Sequence, residues 1–201
     1  MIASQIQIFS RQMAEFYKKK DLLDLGFKIV GEGVKVSKLC KIYDVNGSIG
    51  DFTRIDDFTI LKGNLDIGNK VHICSHSSLS GVGGKISIGD LCGIGVNNIF
   101  YTASDDMLNS ALCGPLVSKK NTSLKTGNII LGKGVALGGR NTIMPGTEVG
   151  NFSAFGVSSL LSGRYDEYSV FMTINGKLKK IAKRKKSEID KMAAYELRGY
   201  E

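Results

Sequence analysis

The residues best suited to chemistry gather in one short stretch, Tyr101-Thr102-Ala103-Ser104-Asp105-Asp106, the densest polar cluster in the middle of the chain. Two adjacent carboxylates beside a hydroxyl and a phenol could take up a proton or hold an ammonium group by charge. The same carboxylates could instead form Asx-type turns that shape a loop. The two histidines, His72 and His76, lie outside that stretch, and histidine is the usual side chain for proton transfer near neutral pH. A third group is the basic run KLKKIAKRKKSEIDK from Lys177 to Lys191. Its ammonium groups could meet phosphates as point charges, or form a solvated face.

These groups need a frame, and the frame is a repeat of six. Val30, Val36 and Ile42 stand six apart, and after one extra residue the series resumes at Ile49, Ile55, Leu61, Ile67, Ile73 and Leu79. Three residues are inserted around Gly81-Val82-Gly83-Gly84, and it continues at Ile88 and Ile94. It returns in register at Leu131, Leu137, Ile143, Val149 and Phe155. The next residue is often Gly, as at Gly50, Gly95 and Gly138, where it would ease the backbone round a corner. Four places along, a small or β-branched residue such as Thr53, Thr59 or Val71 can fill the remaining core. A period of six is neither helical nor a plain alternating strand. It describes a short strand and a turn stacked on the equivalent strand of the next coil. Three blocks per turn make a triangular prism with equivalent positions 18 apart, as Leu131 and Val149 are.

The repeat breaks once at length, from Phe100 to Gly127, and a long loop on a regular scaffold is a functional suspect. His76 takes the fourth place of ICSHSS. One coil plus the three inserted residues sets it against Asn97, on the face from which the loop emerges. Before the repeat, Ile6, Phe9, Met13, Phe16 and Tyr17 recur at helical spacing and predict an amphipathic helix over 3–20. Asp21 to Gly26 adds a further helical turn, and together they would cap one end of the prism. Past Leu160 the register fails. Tyr165 to Thr173 reads as a strand and Asn175-Gly176 as a turn. Lys177 to Arg198 then reads as a charged helix with Leu178, Ile181, Ile189, Met192 and Ala193 inward; alternatively Ser187-Glu188-Ile189-Asp190 begins a separate final helix. The expected organisation is a helical cap over 1–26, a β-helix over 27–161 with an extended loop at 100–127, and a strand and basic helix over 162–201.

Composition narrows the function classes. The 201 residues suit one domain with a real core. The net charge of +8 is concentrated in the tail without interleaved aromatics, a poor footprint for nucleic acid. Cys40, Cys74, Cys92 and Cys113 lack paired spacing, which argues against a zinc site or a disulfide framework. With no signal-type apolar segment and no bilayer-length run, a cytoplasmic protein with reduced thiols is expected.

The hexads, the YTASDD stretch, the segment IILGKGVALGGRNTIMPGTEVG and FGVSSL resemble the left-handed β-helix hexapeptide-repeat acyltransferases. The likeness covers almost the whole chain. It is especially similar to sugar and nucleotide-sugar acetyltransferases of O-antigen pathways, related to galactoside acetyltransferase. The resemblance implies an all-β core built as a left-handed parallel β-helix, although a parallel crossover is ordinarily right-handed. It also implies a homotrimer with acetyl-CoA in the groove between subunits, the acceptor beneath the loop, and no metal. Gly138 and Gly139 match the segment lining the pantetheine, and Val157, Ser158 and Ser162 match the next coil of that groove. Lys177 and Lys180 match the cations that meet the coenzyme phosphates, although the turn before them lacks the family's proline.

The chain departs from the galactoside enzymes at the proton acceptor. Where they keep a loop histidine, it has Ser104, Asp105 and Asp106. An amine is a nucleophile once neutral, so this departure favours N-acetylation of an amino sugar, linked to dTDP, UDP or GDP. The candidate catalytic residues are Asp106, Asp105 and His76, with Tyr101, Ser104 and Asn97 as acceptor contacts. Sugar O-acetylation and a non-catalytic binding or scaffold prism stand as alternatives. A γ-type carbonic anhydrase would need three histidines on zinc, one more than the chain has.

Overall fold

The computed structural model describes residues 15–108 and 111–199. In it the hexad heads become the core of a three-faced prism. Ile49, Ile55, Leu61, Ile73, Leu79 and Ile143 are each 0% exposed, and burying one such side chain contributes about 1.5–3 kcal/mol. The residues four places along, among them Thr53, Thr59 and Val135, are buried beside them. With one large and one small side chain inward per block, successive coils pair as parallel strands. The first face runs from Phe27–Val30 down to Arg164–Tyr165. On the second, Arg54 pairs with His72, His72 with Gly93, Gly93 with Ala136, Ala136 with Ala154 and Ala154 with Val170. On the third, Ile60 pairs with Ser78, Ser78 with Ile99, Ile99 with Thr142 and Thr142 with Leu160.

The glycine after each aliphatic does a different job from the one expected. Gly95 and Gly138 do not have positive φ. A Cβ on Gly95 would stand 2.8 Å from the Gly138 carbonyl carbon, and one on Gly138 would stand 2.6 Å from the Gly156 oxygen. These glycines therefore let coils stack closely. The left-handed backbone falls two places later, on residues with side chains except at Gly33 and Gly134. Phe52, Lys70, Leu91, Phe152 and Tyr168 form one such corner, between the first and second faces. Phe58, His76, Asn97, Arg140 and Ser158 form the other, between the second and third.

Both ends of the prism differ from the sequence reading. Most of the N-terminal helix expected over 3–20 lies outside the described residues. Residues 15–18 are extended: Phe16 bridges to Ser37, and the Tyr17 N–H donates to the Val36 carbonyl at 2.8 Å. They satisfy the open edge of the second face, where helix could not. Helix α1 (Lys19–Asp24) then buries Leu22. At the other end the coils continue past Leu160. Tyr165 and Phe171 pack on Phe155, with centroids 5.0 and 4.8 Å from it, and close the core with rings. The expected helix from Lys177 is instead a strand, Lys177–Lys183, antiparallel to Ser169–Ile174. Asn175 and Gly176 both have positive φ, the two-residue turn that sends a strand back alongside itself. Four lysines on this last strand also protect an edge from further pairing. Helix α2 (Lys186–Glu196) begins beside Ser187, as the alternative reading had it. It buries Ile189, while Ile181 and Met192 are exposed, at 47% and 60%.

Candidate active site

The long interruption is an arm rooted at the corner between the third and first faces. Its stem pairs Ala103, Ser104 and Asp105 with Thr126, Lys125 and Leu124. Thr102 anchors the root: it is fully buried, with Oγ1 2.9 Å from the carbonyl oxygens of both Ser80 and Val82. Tyr101 beside it is exposed. Both acidic residues shape the arm. Asp106 is 7% exposed; its Oδ1 accepts the Leu108 N–H at 3.1 Å and lies 3.2 Å from Lys125 Nζ. The Asp105 carboxylate accepts the Gly114 N–H at 3.1 Å. Asp106 thus makes the Asx turn that the sequence left open.

His76 and Asn97 stand on adjacent rungs of the second corner, where the Asn97 N–H donates to the Ser75 carbonyl at 3.0 Å. The His76 ring packs on Phe58 at a tilt of 44°, with centroids 5.0 Å apart. Arg140 and Ser158 continue the same exposed edge, next to Gly139 and Val157. Arg140 was not singled out by sequence. It has no ion pair among the described residues, and its place on the edge could have been found by counting coils from Asn97. Ser162 lies elsewhere, at the next corner, where its N–H donates to the Tyr165 hydroxyl at 3.0 Å. The third face separates the His76 edge from the arm root. Within one chain the structure does not bring Asp105 and Asp106 to His76.

Beside that edge the second face carries a trough. Outward positions on three successive rungs are Gly93 and Gly95, Ala136 and Gly138, Ala154 and Gly156. Larger polar residues close one end. Asp56 Oδ1 accepts from Arg54 Nε at 2.6 Å, and Oδ2 lies 2.7 Å from His72 Nε2. Partial burial alone would raise the Asp56 carboxyl, but the bonds from Arg54 and His72 outweigh it and hold it below its usual value. Asp56, His72 and Cys74 present ligand-type atoms within 4.8 Å of one another, yet the Arg54 guanidinium on the same carboxylate opposes a cation there. Burial pushes the Cys74 thiol up.

The other end of the trough is basic. Lys177 is exposed at the hairpin turn and Lys179 pairs with Met172, on the next rung of the trough. The Lys180 ammonium is engaged by Asp166 at 2.8 Å. Of the two nominated lysines, Lys177 is the one without an ion pair among the described residues, and Lys179 is the neighbour that a helical reading of the tail hid.

Comparison with known proteins bears on this arrangement. No protein-family model matches the chain. A dTDP-4-amino-4,6-dideoxy-D-glucose acyltransferase from Escherichia coli is 31% identical over 160 residues, covering 78% of this chain and 83% of the relative. The chain belongs to the hexapeptide-repeat acyltransferases. Crystal structures of AntD, an N-acyltransferase from Bacillus cereus, agree with it closely. The complex with dTDP and 3-hydroxybutyryl-CoA is 31% identical over 94% of this chain and 100% of AntD, with a TM-score of 0.82. A complex with dTDP-4-amino-4,6-dideoxyglucose and coenzyme A gives 32% identity over 91% of this chain and 98% of AntD, with a TM-score of 0.81. This acyltransferase therefore has the left-handed β-helix of its family.

Proposed function

We propose that the protein is an acyl-CoA-dependent N-acyltransferase acting on the amino group of a dTDP-linked sugar, of the 4-amino-4,6-dideoxyglucose type. The observation that carries this reading is the trough of the second face, bare over three rungs and basic at one end. An extended pantetheine can lie along Gly95, Gly138 and Gly156, with Gly139, Val157 and Ser158 on its flank and the coenzyme phosphates at Lys177 and Lys179. Both structures of AntD described above, one of them of a point variant, hold coenzyme A or its thioester and a dTDP ligand, which supports that donor and acceptor. The donor is therefore given as an acyl-CoA, of which acetyl-CoA is one member.

The arm sits across a face from the trough, so the reading places the site between copies in a homotrimer. There the arm of one copy brings Tyr101, Ser104, Asp105 and Asp106 to an acceptor lying against the His76–Asn97 edge of the next. Its carboxylates draw the ammonium form of the amino sugar by charge. The reaction would serve O-antigen or other surface polysaccharide synthesis in the cytoplasm. No helix among the described residues is long and apolar enough to cross a membrane.

The test is release of free CoA from acetyl-CoA and 3-hydroxybutyryl-CoA with a panel of dTDP-, UDP- and GDP-linked amino sugars. Turnover is expected with dTDP-4-amino sugars. No turnover with any amine, together with retained acyl-CoA binding, would favour a scaffold instead.

A further inference from the structure

We propose that His72, held by the Asp56 carboxylate, takes the proton from the acceptor amine as the acyl group is transferred. This rests on reading the second face as the acyl-CoA track. His72 and Gly93 are register partners, so the imidazole stands at the first rung above the bare trough. Gly93 does not have positive φ, and a Cβ built on it meets nothing within 4 Å. Neither the fold nor the packing of this chain requires glycine there. What the missing side chain leaves is room outside the prism, immediately below His72.

The trough has a direction. Lys177 and Lys179 stand at its far end, which sets the phosphates there and the thioester toward His72. Four rungs separate His72 from Val170, and at about 4.8 Å each they span roughly 19 Å, the reach of an extended pantetheine arm.

The chemistry of the pair also has a direction. An ionised carboxylate can only accept a hydrogen bond, so Nε2 of His72 carries the hydrogen facing Asp56 Oδ2, 2.7 Å away. That leaves the Nδ1 lone pair to receive a proton, and the carboxylate stabilises the imidazolium that results. Arg54 fixes the other carboxylate oxygen at 2.6 Å and is a positioning residue. Among the described residues His76 has no such acid partner. Cys74 Sγ lies 4.0 and 3.9 Å from Nδ1 and Nε2. Nearly equal distances to the two nitrogens put it off the line of either N–H. In the step itself, the amine nitrogen forms a bond to the thioester carbonyl carbon and passes a proton to Nδ1. The C–S bond breaks, and the departing CoA thiolate takes the proton from His72. The products are an amide and free CoA, and no other reagent is needed.

The experiment compares the full-length wild type with His72→Gln and His72→Gly, using dTDP-4-amino-4,6-dideoxyglucose and an acyl-CoA that the wild type turns over. Gln can still donate to Asp56 but cannot accept a proton. We expect His72→Gln to lose about a hundredfold in kcat, with both KM values and the melting temperature little changed. The next rung already carries Gly at this place, so His72→Gly should fold, and added imidazole should restore part of its kcat. A kcat for His72→Gln within threefold of wild type overturns the proposal. So does a loss confined to KM, or a His72→Gly enzyme that imidazole fails to restore. A wild type inactive on every nucleotide amino sugar defeats the functional reading itself, and is seen before any substitution is made.

Discussion

The two left-handed corners share a backbone and differ in everything attached to it. At the first, Phe52, Lys70, Leu91, Phe152 and Tyr168 have φ of 51–60°; at the second, Phe58, His76, Asn97, Arg140 and Ser158 have φ of 55–62°. A non-glycine residue held there carries strain of order 1–3 kcal/mol, so the fold sustains the same burden at both. The chain's own C-terminus covers the first corner at Lys70, Phe152 and Tyr168, while Phe52 stays 55% exposed. The Arg184 guanidinium donates to the Phe152 carbonyl at 2.9 Å, the Tyr168 hydroxyl to Asp190 at 2.5 Å, and the Lys70 ammonium lies 2.9 Å from the Glu196 carboxylate. All five side chains of the second are exposed. One edge is largely closed by contacts with the chain's C-terminal segment, and its twin is left open with a histidine, an asparagine and an arginine in a row. Identical scaffolding with opposite surfaces shows that side-chain choice here answers to something outside the coil.

The largest effect that sharpens this contrast is expected beneath the corners. Under the open one, the buried Asn98 amide donates to Gly95 and Gly138 carbonyls at 2.7 and 2.9 Å, stapling coils that the arm separates in sequence. Under the covered one, Thr53 donates to the Gly68 carbonyl at 2.7 Å. Asn98→Ala removes both of the Asn98 amide's bonds and leaves the buried Asn141 N–H, which donates to Asn98 Oδ1 at 3.0 Å, without its acceptor; Thr53→Val removes one such bond and the acceptor of the Val71 N–H, at 3.0 Å. The losses should be about 3 and about 2 kcal/mol. Denaturant unfolding of both variants measures the difference, and equal losses would break the comparison.

Next in size, Lys177→Ala with Lys179→Ala should raise KM for acyl-CoA about tenfold, the effect of losing charge-assisted contacts to phosphate. A pantetheine thioester without phosphates should be turned over equally by wild type and variant. A smaller effect concerns acid. The folded-state pKa of Asp56 is depressed, so its stabilisation is present above the unfolded value of about 3.9. It is lost as pH falls through the lower folded value. Asp56→Asn should therefore flatten the fall of the unfolding midpoint between pH 4 and lower pH, seen in acid titrations by circular dichroism. The smallest change belongs to the covered corner. Tyr168→Phe removes the hydroxyl from Asp190 and Lys186 and should lower the melting temperature slightly while kcat stays unchanged.

Much of the scaffold was legible because burial enforces periodicity. Every hexad head from Ile49 onward is buried, and the Asn97–His76 neighbourhood followed from counting coils. The basic tail was harder, since Leu178 and Ile181 suit a helix by spacing. The open edge of the second face and the Asn175-Gly176 turn decided for a strand, and neither is a property of that segment alone. The Asp56–His72 pair was missed because its members are 16 residues apart and meet only through the rung register. The two acidic residues of the arm were visible as a cluster, but whether they bind or brace depends on backbone N–H groups that no residue type reveals.

The arm leaves and rejoins the prism at one point, where the Gly127 N–H donates to the Thr102 carbonyl at 2.9 Å. Its two ends are already closed by a scaffold bond, so lengthening or shortening what lies between adds little entropic penalty and leaves every coil in place. An insertion of this kind behaves as an exchangeable attachment. A lineage could refit it for a different sugar while inheriting the donor track unchanged.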